Sequence, residues 1–279
     1  MKKILSLILS VCMLLSVAAL PVSATENTAK LEIFVVNGGY DNAGVVRGEG
    51  TYPIGTKVTV FAKPNMGFGF WGWSSEGDVP VCDEMEYTFT ITEDTLLIAD
   101  FYKAPFDDIC GTDYYFAPVL WASKEGITTG TSATTFSPNA TCTRAQVVTF
   151  LHRSLGCPMP MPGNPFSDVK ESDYFHEAVL WAAGSKITTG TSEATFSPDA
   201  PCTRAQVVTF VWRASGCPKA SSGNNPFKDV SPSDYYYDAV LWAVEQGITT
   251  GTSATTFSPD SACTRGQIVT FLWRPLQNS

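Results

Sequence analysis

The segment Cys142-Thr143-Arg144-Ala145-Gln146-Val147-Val148 decides the fold, because close copies of it occur twice more along the chain. It recurs as Cys202-Thr203-Arg204-Ala205-Gln206-Val207-Val208 and as Cys263-Thr264-Arg265-Gly266-Gln267-Ile268-Val269. The spacing is 60 and then 61 residues, and self-similarity at such a period is the sequence signature of repeated structural units. We therefore predict three copies of one unit that bury their apolar faces against one another.

Other motifs recur in step with this segment. Phe-x-Asp begins at Phe106, Phe166 and Phe227, Val-Leu-Trp-Ala at Val119, Val179 and Val240, Ile-Thr-Thr-Gly-Thr at Ile127, Ile187 and Ile248, and Thr-Phe-Ser-Pro at Thr135, Thr195 and Thr256. The Val-Leu-Trp-Ala stretch predicts a short helix, and the Gly- and Pro-containing stretch after it predicts a loop. Thr143 and Gln146 have the spacing of a capping box, which predicts a second helix from Arg144 onward. Each copy is thus predicted to be helix, loop, helix.

The end of the first predicted helix differs between the copies. Gly126 and Gly247 follow it in copies one and three, where glycine can adopt the left-handed cap conformation. Copy two has Lys186 at that position and Gly184 two residues earlier. We therefore expect a strained or different helix end in the middle copy.

Residues 30–103 follow a different pattern. Apolar and polar residues alternate in the runs Leu31–Val35, Lys57–Phe61 and Tyr87–Ile91, which Gly and Pro separate. Alternation with period two in β-branched and aromatic residues is typical of strands. These residues are therefore predicted to form a small, mainly-β module.

The N-terminus has the three parts of a secretory signal peptide. Lys2 and Lys3 precede an apolar run from Ile4 to Leu20, and a small-residue cleavage motif ends at Ala24. No later run approaches the roughly 18 apolar residues that span a bilayer. We expect residues 1–24 to be removed and the rest to be exported, without a membrane span.

Charge argues against nucleic acid as a partner. The chain has 18 basic and 27 acidic residues, a net charge of −9. Without the two signal-peptide lysines it is more acidic still, so nonspecific binding to nucleic acid is not expected. An anionic ligand requires cations that are concentrated locally.

Few residues are suited to catalysis or metal binding. The two histidines, His152 and His176, stand where other copies have aromatic residues, and no Cys-x-x-Cys pair occurs. Glu84 and Glu86 alternate as on an exposed strand face, which explains them more simply than a glycosidase dyad does. We predict no enzyme activity, no catalytic residue, no metal site and no cofactor.

Seven cysteines follow the signal peptide, and export permits disulfides. A bridge from Cys142 to Cys157 is disfavoured, because a helix of about 12 residues, roughly 18 Å long, separates them. If bridges form, Cys157 with Cys202 and Cys217 with Cys263 are the expected pairs. The alternative is that the recurrent cysteines are small buried thiols.

Residues 104–274 resemble S-layer homology domains, on the Phe-x-Asp, Val-Leu-Trp-Ala, Thr-Phe-Ser-Pro and Thr-Arg-Ala-Gln motifs. The resemblance implies grooves that bind a secondary cell-wall polysaccharide, often pyruvylated, and a secreted protein attached to the cell wall or S-layer. The expected repeats are residues 104–161, 162–222 and 223–279. The usual family motif ends in glutamate, whereas this chain has Gln146, Gln206 and Gln267.

Residues 30–103 resemble a divergent internalin-type B repeat. The resemblance rests on Gly50–Val58, on Pro64 with Gly67–Trp73, and on Leu97–Phe101. The predicted fold class is therefore multidomain α + β. A small mainly-β module precedes an all-α, pseudo-threefold arrangement of three helix-loop-helix repeats.

The candidate ligand-binding residues lie at the starts of the second helices. Arginine is electrostatically unfavourable at a helix N-terminus, so its threefold occurrence suggests a carboxylate-binding site that also uses free helix-start amides. The alternative is a structural staple to Asp108, Asp168 or Asp229, or onto an aromatic ring. The predicted glycan-binding set is Thr143, Arg144, Gln146, Thr203, Arg204, Gln206, Thr264, Arg265 and Gln267.

Weaker candidates come from aromatic residues and glycines. Possible glycan contacts are Trp121, Trp181, Trp242, Gly130, Gly190 and Gly251, although core packing is the favoured role of the tryptophans. The leading prediction is non-covalent anchoring to the cell wall. The alternative is an adhesin whose β module binds a host or partner protein through the aromatic stretch Phe68–Trp73.

Overall fold

A computed structural model describes residues 27–277, so the predicted signal peptide lies outside the described residues. Within this range, eight strands come first and six α-helices follow. The strands are β1 Thr28–Val36, β2 Gly44–Arg47, β3 Gly50–Pro53, β4 Lys57–Pro64, β5 Phe68–Ser75, β6 Val79–Cys82, β7 Glu86–Thr90 and β8 Thr95–Lys103. No helix within these residues has both the length and the apolar character needed to cross a membrane.

The strands form two sheets that share one core. The order is β3-β1-β8-β5-β6 in the larger sheet and β2-β4-β7 in the smaller one, and only the β1–β8 pairing is parallel among these described strands. Alternate residues of β4, namely Val58, Val60 and Ala62, are buried, as period-two patterning requires. The Trp73 indole closes the core and donates to the Glu84 carbonyl at 3.1 Å. The prediction of a β module is confirmed.

The helices form three pairs, one in each repeat. They are α1 Phe116–Lys124, α2 Arg144–Ser154, α3 His176–Gly184, α4 Arg204–Ala214, α5 Tyr237–Glu245 and α6 Arg265–Trp273, with a short 3-10 helix Arg274–Gln277 at the end. The first helix of each repeat packs against the second helix of the repeat before it in the cycle: α3 on α2, α5 on α4, and α1 on α6. No repeat therefore completes its own core.

The predicted all-α arrangement of the repeat region is wrong. Long non-helical segments join the helices within each repeat, and extended backbone links the repeats through isolated β-bridges Thr141 to Thr264, Thr143 to Pro201 and Thr203 to Ala262. The loops cannot be helical, because Gly130 and Ser137 have φ of +83° and +59° and Pro138 follows. Their backbone groups are satisfied by turns and by neighbouring repeats.

A closed ring of backbone hydrogen bonds joins the three repeats. The Cys142 amide donates to the Cys263 carbonyl at 3.0 Å, Cys202 donates to Cys142 at 3.0 Å, and Cys263 donates to Cys202 at 2.9 Å. All three side chains are fully buried. The recurrent cysteine is thus the residue at which the repeats meet about a common axis.

The cysteines are free thiols throughout the described residues. Cys202 and Cys263 are buried in the ring, whereas Cys157 and Cys217 are exposed beyond the ends of α2 and α4. Hence neither of the pairs expected if bridges form, Cys157 with Cys202 or Cys217 with Cys263, is bonded. The alternative of buried thiols describes the three ring cysteines.

The middle repeat carries the strained helix end that its sequence indicates. Lys186 has φ +57°, and the equivalent Gly126 and Gly247 have φ +70° and +65°. Gly184 is not a substitute cap, because a Cβ added there would lie 2.6 Å from Cβ of Met161. Its small size makes room for Met161, a residue of the linker between repeats one and two.

The β module is hydrogen-bonded to the first repeat. The Gly67 amide donates to the Ile109 carbonyl at 2.7 Å, and the Gly111 amide donates to the Phe68 carbonyl at 2.9 Å. The Cys110 thiol adds a contact to the Pro64 carbonyl at 3.2 Å. The start of β5 and the segment before α1 are therefore in direct contact.

Candidate functional site

The start of each second helix has the predicted capping box, which is confirmed in all three repeats. In the first, the Gln146 amide donates to Thr143 Oγ1 at 3.3 Å, and Gln146 Oε1 accepts from the Thr143 amide at 3.1 Å. The pairs Thr203 with Gln206 and Thr264 with Gln267 repeat this geometry. These residues fix where the helices begin, and so where the arginines point.

The expected free amides at the helix start are absent, and that part of the prediction is wrong. The Arg144 amide donates to the Ala200 carbonyl at 2.9 Å, and the Ala145 amide donates to the Pro198 carbonyl at 3.0 Å. The Gln146 amide is used by the capping box. The turn that supplies these carbonyls belongs to the next repeat, which the local pattern does not show.

Each helix-start arginine extends into the next repeat. Arg144 is buried, and its Nε donates to the Phe196 carbonyl at 2.9 Å while Nη2 contacts Thr188 Oγ1 at 3.5 Å. Its guanidinium lies 4.7 Å from the centre of the Phe196 ring, a favourable cation–π distance. Arg204 with Phe257 and Thr249, and Arg265 with Phe136 and Thr128, repeat these contacts.

Within the described part of the chain, no carboxylate forms an ion pair with these arginines. Asp108, which the alternative interpretation pairs with arginine, accepts the amides of Phe136 and Ser137 at 2.8 and 2.7 Å. Asp168 and Asp229 cap the equivalent loops. Within residues 27–277 the ion pairs involve lysines, and no arginine lies within 4.0 Å of a carboxylate oxygen. Stacking on an aromatic ring is thus observed, and pairing with aspartate is not.

Burial without an ion-pair partner changes the pKa values of the three helix-start arginines. Desolvation lowers the pKa of Arg144, of Arg204 and of Arg265, because removing water disfavours the charged form. An arginine nevertheless stays protonated at neutral pH. Each site therefore holds a permanent positive charge that attracts an anion.

A second arginine, absent from the predicted site, lines the same surface. Arg213 lies nine residues after Arg204 in α4 and donates from Nη1 to the Ile187 carbonyl at 3.0 Å. Arg153 and Arg274 make the same bond to Ile127 and Ile248. The sequence contains the signal, since these arginines recur in step with the helix-start arginines.

These residues line a groove of about 450 Å³ to which all three repeats contribute. We call it the Arg144 groove, and its lining includes Arg144, Thr188, Gly190, Gln206, Arg213 and Tyr235. Tyr235 comes from the third repeat and is 60 % exposed. The groove therefore combines two cations, hydroxyl and amide groups, and an accessible aromatic ring.

Two equivalent sites complete the cycle. The Arg204 groove, about 350 Å³, is lined by Arg204, Thr249, Gly251, Gln267, Arg274 and Tyr114. The Arg265 groove is defined by the contacts of Arg265 with Thr128 and Phe150. Tyr174 lies beside it: burial raises the pKa of its phenol, and the charges of Arg153 and Arg265 oppose that rise.

The structure separates residues that the sequence grouped together. Arg144 and Gln146 are two positions apart in the chain, yet Arg144 lines its groove with Gln206. Arg204 likewise shares a groove with Gln267. Each site is thus assembled from the arginine of one repeat and the glutamine of the next.

The predicted glycines and tryptophans have different locations. Gly190 and Gly251 line the first two grooves, and a Cβ on Gly190, where φ is +78°, would lie 2.5 Å from the Ser192 carbonyl. Gly130 has the equivalent conformation. Trp181 and Trp242 are buried, and Trp121 is partly buried against the same core. The tryptophans therefore pack between helices.

A second cleft, of about 650 Å³, lies on the β module. Trp71 and Asp100 line it, together with residues of β6. Within the predicted aromatic stretch, Phe68 and Trp73 are core residues, but Trp71 is 65 % exposed and lies 4.5 Å from the Tyr102 ring.

Comparison with known protein families agrees with this division of the chain. Residues 105–148, 165–208 and 226–269 match the S-layer homology domain. The chain carries three S-layer homology domains. Residues 35–105 match the divergent InlB B-repeat domain. Both are anchoring or surface modules rather than catalytic ones, and they indicate attachment at the cell wall or S-layer.

Similar proteins have much longer chains. An endoglucanase of Bacillus sp. (strain KSM-635) is 32 % identical over 61 % of this chain and 19 % of its own length. A cell surface protein of Thermoanaerobacter kivui is 33 % identical over 40 % of this chain and 15 % of its own length. A surface-layer 125 kDa protein of Lysinibacillus sphaericus is 34 % identical over 37 % of this chain and 9 % of its own length. The chain thus spans less than a fifth of each relative.

Proposed function

We propose that the three S-layer homology domains anchor this protein non-covalently by binding an acidic secondary cell-wall polysaccharide in the Arg144, Arg204 and Arg265 grooves. The proposed acidic group is a pyruvyl ketal, whose carboxylate is small and carries one negative charge. The observation that carries the proposal is the pair of arginines that lines each of the Arg144 and Arg204 grooves and forms no ion pair with a carboxylate within residues 27–277.

The Arg144 guanidinium retains a donor for such a ligand. Its Nε and Nη2 are engaged, and no protein atom among residues 27–277 accepts a hydrogen bond from Nη1. In the same range no fully buried side-chain nitrogen or oxygen lacks a partner, so Nη1 has at least a small solvent contact, although Arg144 as a whole is 2 % exposed. A charge-assisted hydrogen bond to a carboxylate contributes roughly 1.5–3 kcal/mol.

The rest of the groove suits a sugar. Tyr235 presents an exposed aromatic face beside Arg144, and the Thr188–Thr191 loop and Gln206 supply polar groups. Aromatic rings complement the apolar face of a pyranose, while hydroxyl and amide groups match its hydroxyls. Three such grooves on one protein provide avidity towards a polymer that repeats the same unit.

Co-sedimentation with isolated sacculi that carry a pyruvylated glycan tests the proposal. We expect the intact chain to sediment with the sacculi and the triple variant Tyr114→Ala, Tyr174→Ala, Tyr235→Ala to remain largely in solution. The tyrosines are preferred to the arginines, because Tyr114, Tyr174 and Tyr235 are 59–65 % exposed and their loss leaves no cavity.

The matched control is Trp71→Ala, which removes an exposed aromatic residue of the β module. It should sediment like the unaltered protein, and thermal melts should show that both variants fold. Removing pyruvate from the sacculi should release the unaltered protein. Sedimentation that survives both pyruvate removal and the triple substitution would overturn the proposal, as would failure of the unaltered protein to bind.

A non-catalytic role is part of the same proposal. Nucleophile and acid-base pairs are not among the groups that line the Arg144 and Arg204 grooves. Incubation of the purified chain with wall glycan should release no reducing ends. Measurable digestion would contradict this part of the proposal.

A second candidate function is adhesion through the β module. The observation that favours it is Trp71, which is exposed at the 650 Å³ cleft. We expect a protein partner, if this function exists, to bind the intact chain and to lose affinity for Trp71→Ala. If the unaltered protein and Trp71→Ala bind a partner protein equally well, adhesion through this cleft is ruled out.

A further inference from the structure

The three grooves have equivalent arginines, but the charged residues around these arginines differ from groove to groove. Asn139 lies in the turn whose Pro138 and Ala140 carbonyls accept the Gly266 and Arg265 amides, both at 2.9 Å. These amides begin α6, the helix that supplies Gln267 to the Arg204 groove, and Arg274, directly after α6, lines the same groove. Asn139 therefore stands beside the Arg204 groove.

The other two grooves have aspartate at this place. Pro198 and Pro259 accept the Ala145 and Ala205 amides at 3.0 Å, which places Asp199 at the start of α2 and Asp260 at the start of α4. These helices line the Arg265 and Arg144 grooves. Burial raises the pKa of Tyr235 and Tyr174, and Asp260 and Asp199 respectively raise it further.

A second set of charges differs at the threonine-rich loops. In the Arg204 groove, the Lys228 amide donates to the Thr255 carbonyl of the loop at 3.0 Å, and the loop has the neutral Ala254 at its tip. In the Arg144 groove, Ser167 makes the same bond to Ala194 at 2.9 Å, and the tip residue is Glu193. Relative to the Arg144 groove, the Arg204 groove thus has one more cation, Lys228 in place of Ser167, and one fewer anion, Ala254 in place of Glu193.

The Arg265 groove is intermediate. Its loop is held by the Asp107 amide, which donates to the Thr134 carbonyl at 2.8 Å. The Asp107 carboxylate forms an ion pair with Lys103 at 2.5 Å. Of the positions compared at this groove, Asp199 is then the negative charge without an ion-pair partner within residues 27–277. One charge at a distance of about 8 Å in water changes an affinity by roughly two- to threefold.

We propose that the Arg204 groove is the primary anion-binding groove, followed by the Arg265 groove and then the Arg144 groove. Asn139 and Lys228 set this preference. The inference rests on the proposed function. It adds an order of affinity among three grooves whose arginine, threonine, glutamine and tyrosine residues are equivalent. The Arg204 and Arg144 grooves differ by three charges, so their affinities for a carboxylate sugar should differ by about tenfold or more at low salt.

Titration calorimetry on the intact chain tests this order, with a methyl glycoside that carries a 4,6-pyruvyl ketal as the probe. We expect one site to fill well before the other two at low salt. Tyr114→Ala should abolish the tight site, whereas Tyr235→Ala should leave it in place. About 1 M salt should bring the three affinities together, because the differing charges are exposed and screened.

The charge substitutions provide the decisive comparison, since the altered residues are on the surface. Asn139→Asp with Lys228→Ser should weaken the tight site by about five- to tenfold. Asp260→Asn with Glu193→Ala should strengthen the weakest site by a similar factor. Equal affinities in the unaltered protein, a tight site that survives Tyr114→Ala, or no response to the charge substitutions would overturn the order. The probe failing to bind at any groove would overturn the proposed function itself.

Discussion

The helix-start arginine illustrates how one side chain serves packing and charge together. Arg144 donates to the Phe196 carbonyl and covers the Phe196 ring, which fixes the guanidinium without a counter-ion. Burying an unpaired charge is costly, and a purely structural contact would be made more cheaply by a neutral residue. A charge kept at the base of a groove agrees with the proposal of an anionic ligand.

The glutamine of the capping box provides a prediction at the same scale. Gln206 lines the Arg144 groove, so Gln206→Glu, which places a negative charge beside the proposed carboxylate ligand, should weaken binding of the pyruvylated glycoside by at least about threefold. The cap should survive, because a carboxylate oxygen accepts the Thr203 amide as the present Oε1 does. A negatively charged side chain near a helix N-terminus raises the free energy of unfolding by a few tenths of a kcal/mol. Calorimetric titration and thermal melts measure the two effects.

Lys57→Gln is the matched control for this substitution. It changes the net charge by the same amount at an exposed position of β4, in the β module. We expect unchanged glycoside affinity in this variant. If Gln206→Glu binds as tightly as the unaltered protein, the glutamine does not face the ligand.

At the scale of single elements, the two helices of a repeat are specified in different ways. The second helices begin at side-chain capping boxes, whereas α1, α3 and α5 have no side-chain cap at their starts. Isolated helices of this length are marginal in water. The first helices therefore depend on packing against a neighbouring repeat.

The end of α3 gives a prediction for one element. Lys186 adopts φ +57°, a conformation that costs a non-glycine residue roughly 1–2 kcal/mol. Lys186→Gly should raise the free energy of unfolding by about 0.5–1 kcal/mol, because relief of strain exceeds the extra entropy of the unfolded chain. Urea denaturation of the two proteins measures the difference.

The reciprocal substitution, Gly247→Lys, serves as the control. A Cβ at Gly247 meets no atom within 4 Å, so the change isolates the backbone conformation. We expect it to lower the free energy of unfolding by a similar amount. No change in either variant would mean that the helix ends tolerate both residues equally.

At the scale of the whole molecule, the ring of cysteines couples the three repeats and makes stability depend on pH. Burial raises the pKa of Cys142 to about 11 and that of Cys263 to about 12, from an ordinary value of 9.0. As the pH rises, these thiols therefore ionise at a lower pH in the unfolded chain than in the folded protein. The contribution of these thiols to the free energy of unfolding is therefore fully present below about pH 9. It falls as the pH rises towards 11, by up to about 1.4 kcal/mol per pH unit for each thiol.

Denaturation under reducing conditions between pH 8 and 11 measures this slope. Cys142→Ala is expected to be less stable at neutral pH but to lose less stability as the pH rises. Cys157→Ala, which removes an exposed thiol outside the ring, is the matched control. An identical slope in Cys142→Ala would show that the buried thiol does not contribute.

Much of the architecture follows from the sequence. The threefold recurrence, the capping boxes and the strand pattern of residues 30–103 are local or periodic features, and each corresponds to an element that is present. The helix-start arginines were also identifiable, because a cation at that position conflicts with the helix dipole. The departure at Lys186 was also visible in the sequence, because lysine is unsuited to the left-handed conformation that glycine adopts at this position in the other two repeats.

Tertiary structure alone decided how the repeats are combined. The amides of Arg144 and Ala145 are satisfied by carbonyls from another repeat, and Arg144 meets Gln206 rather than Gln146. No local pattern encodes contacts between segments some 60 residues apart, so neither the bridges that refute an all-α region nor the pairing of each arginine with the glutamine of the next repeat was predictable. The sequence by itself determined three like units and their unusual arginines. The cyclic packing determined that each arginine lies in a groove built by all three, because no unit can bury its apolar surface alone.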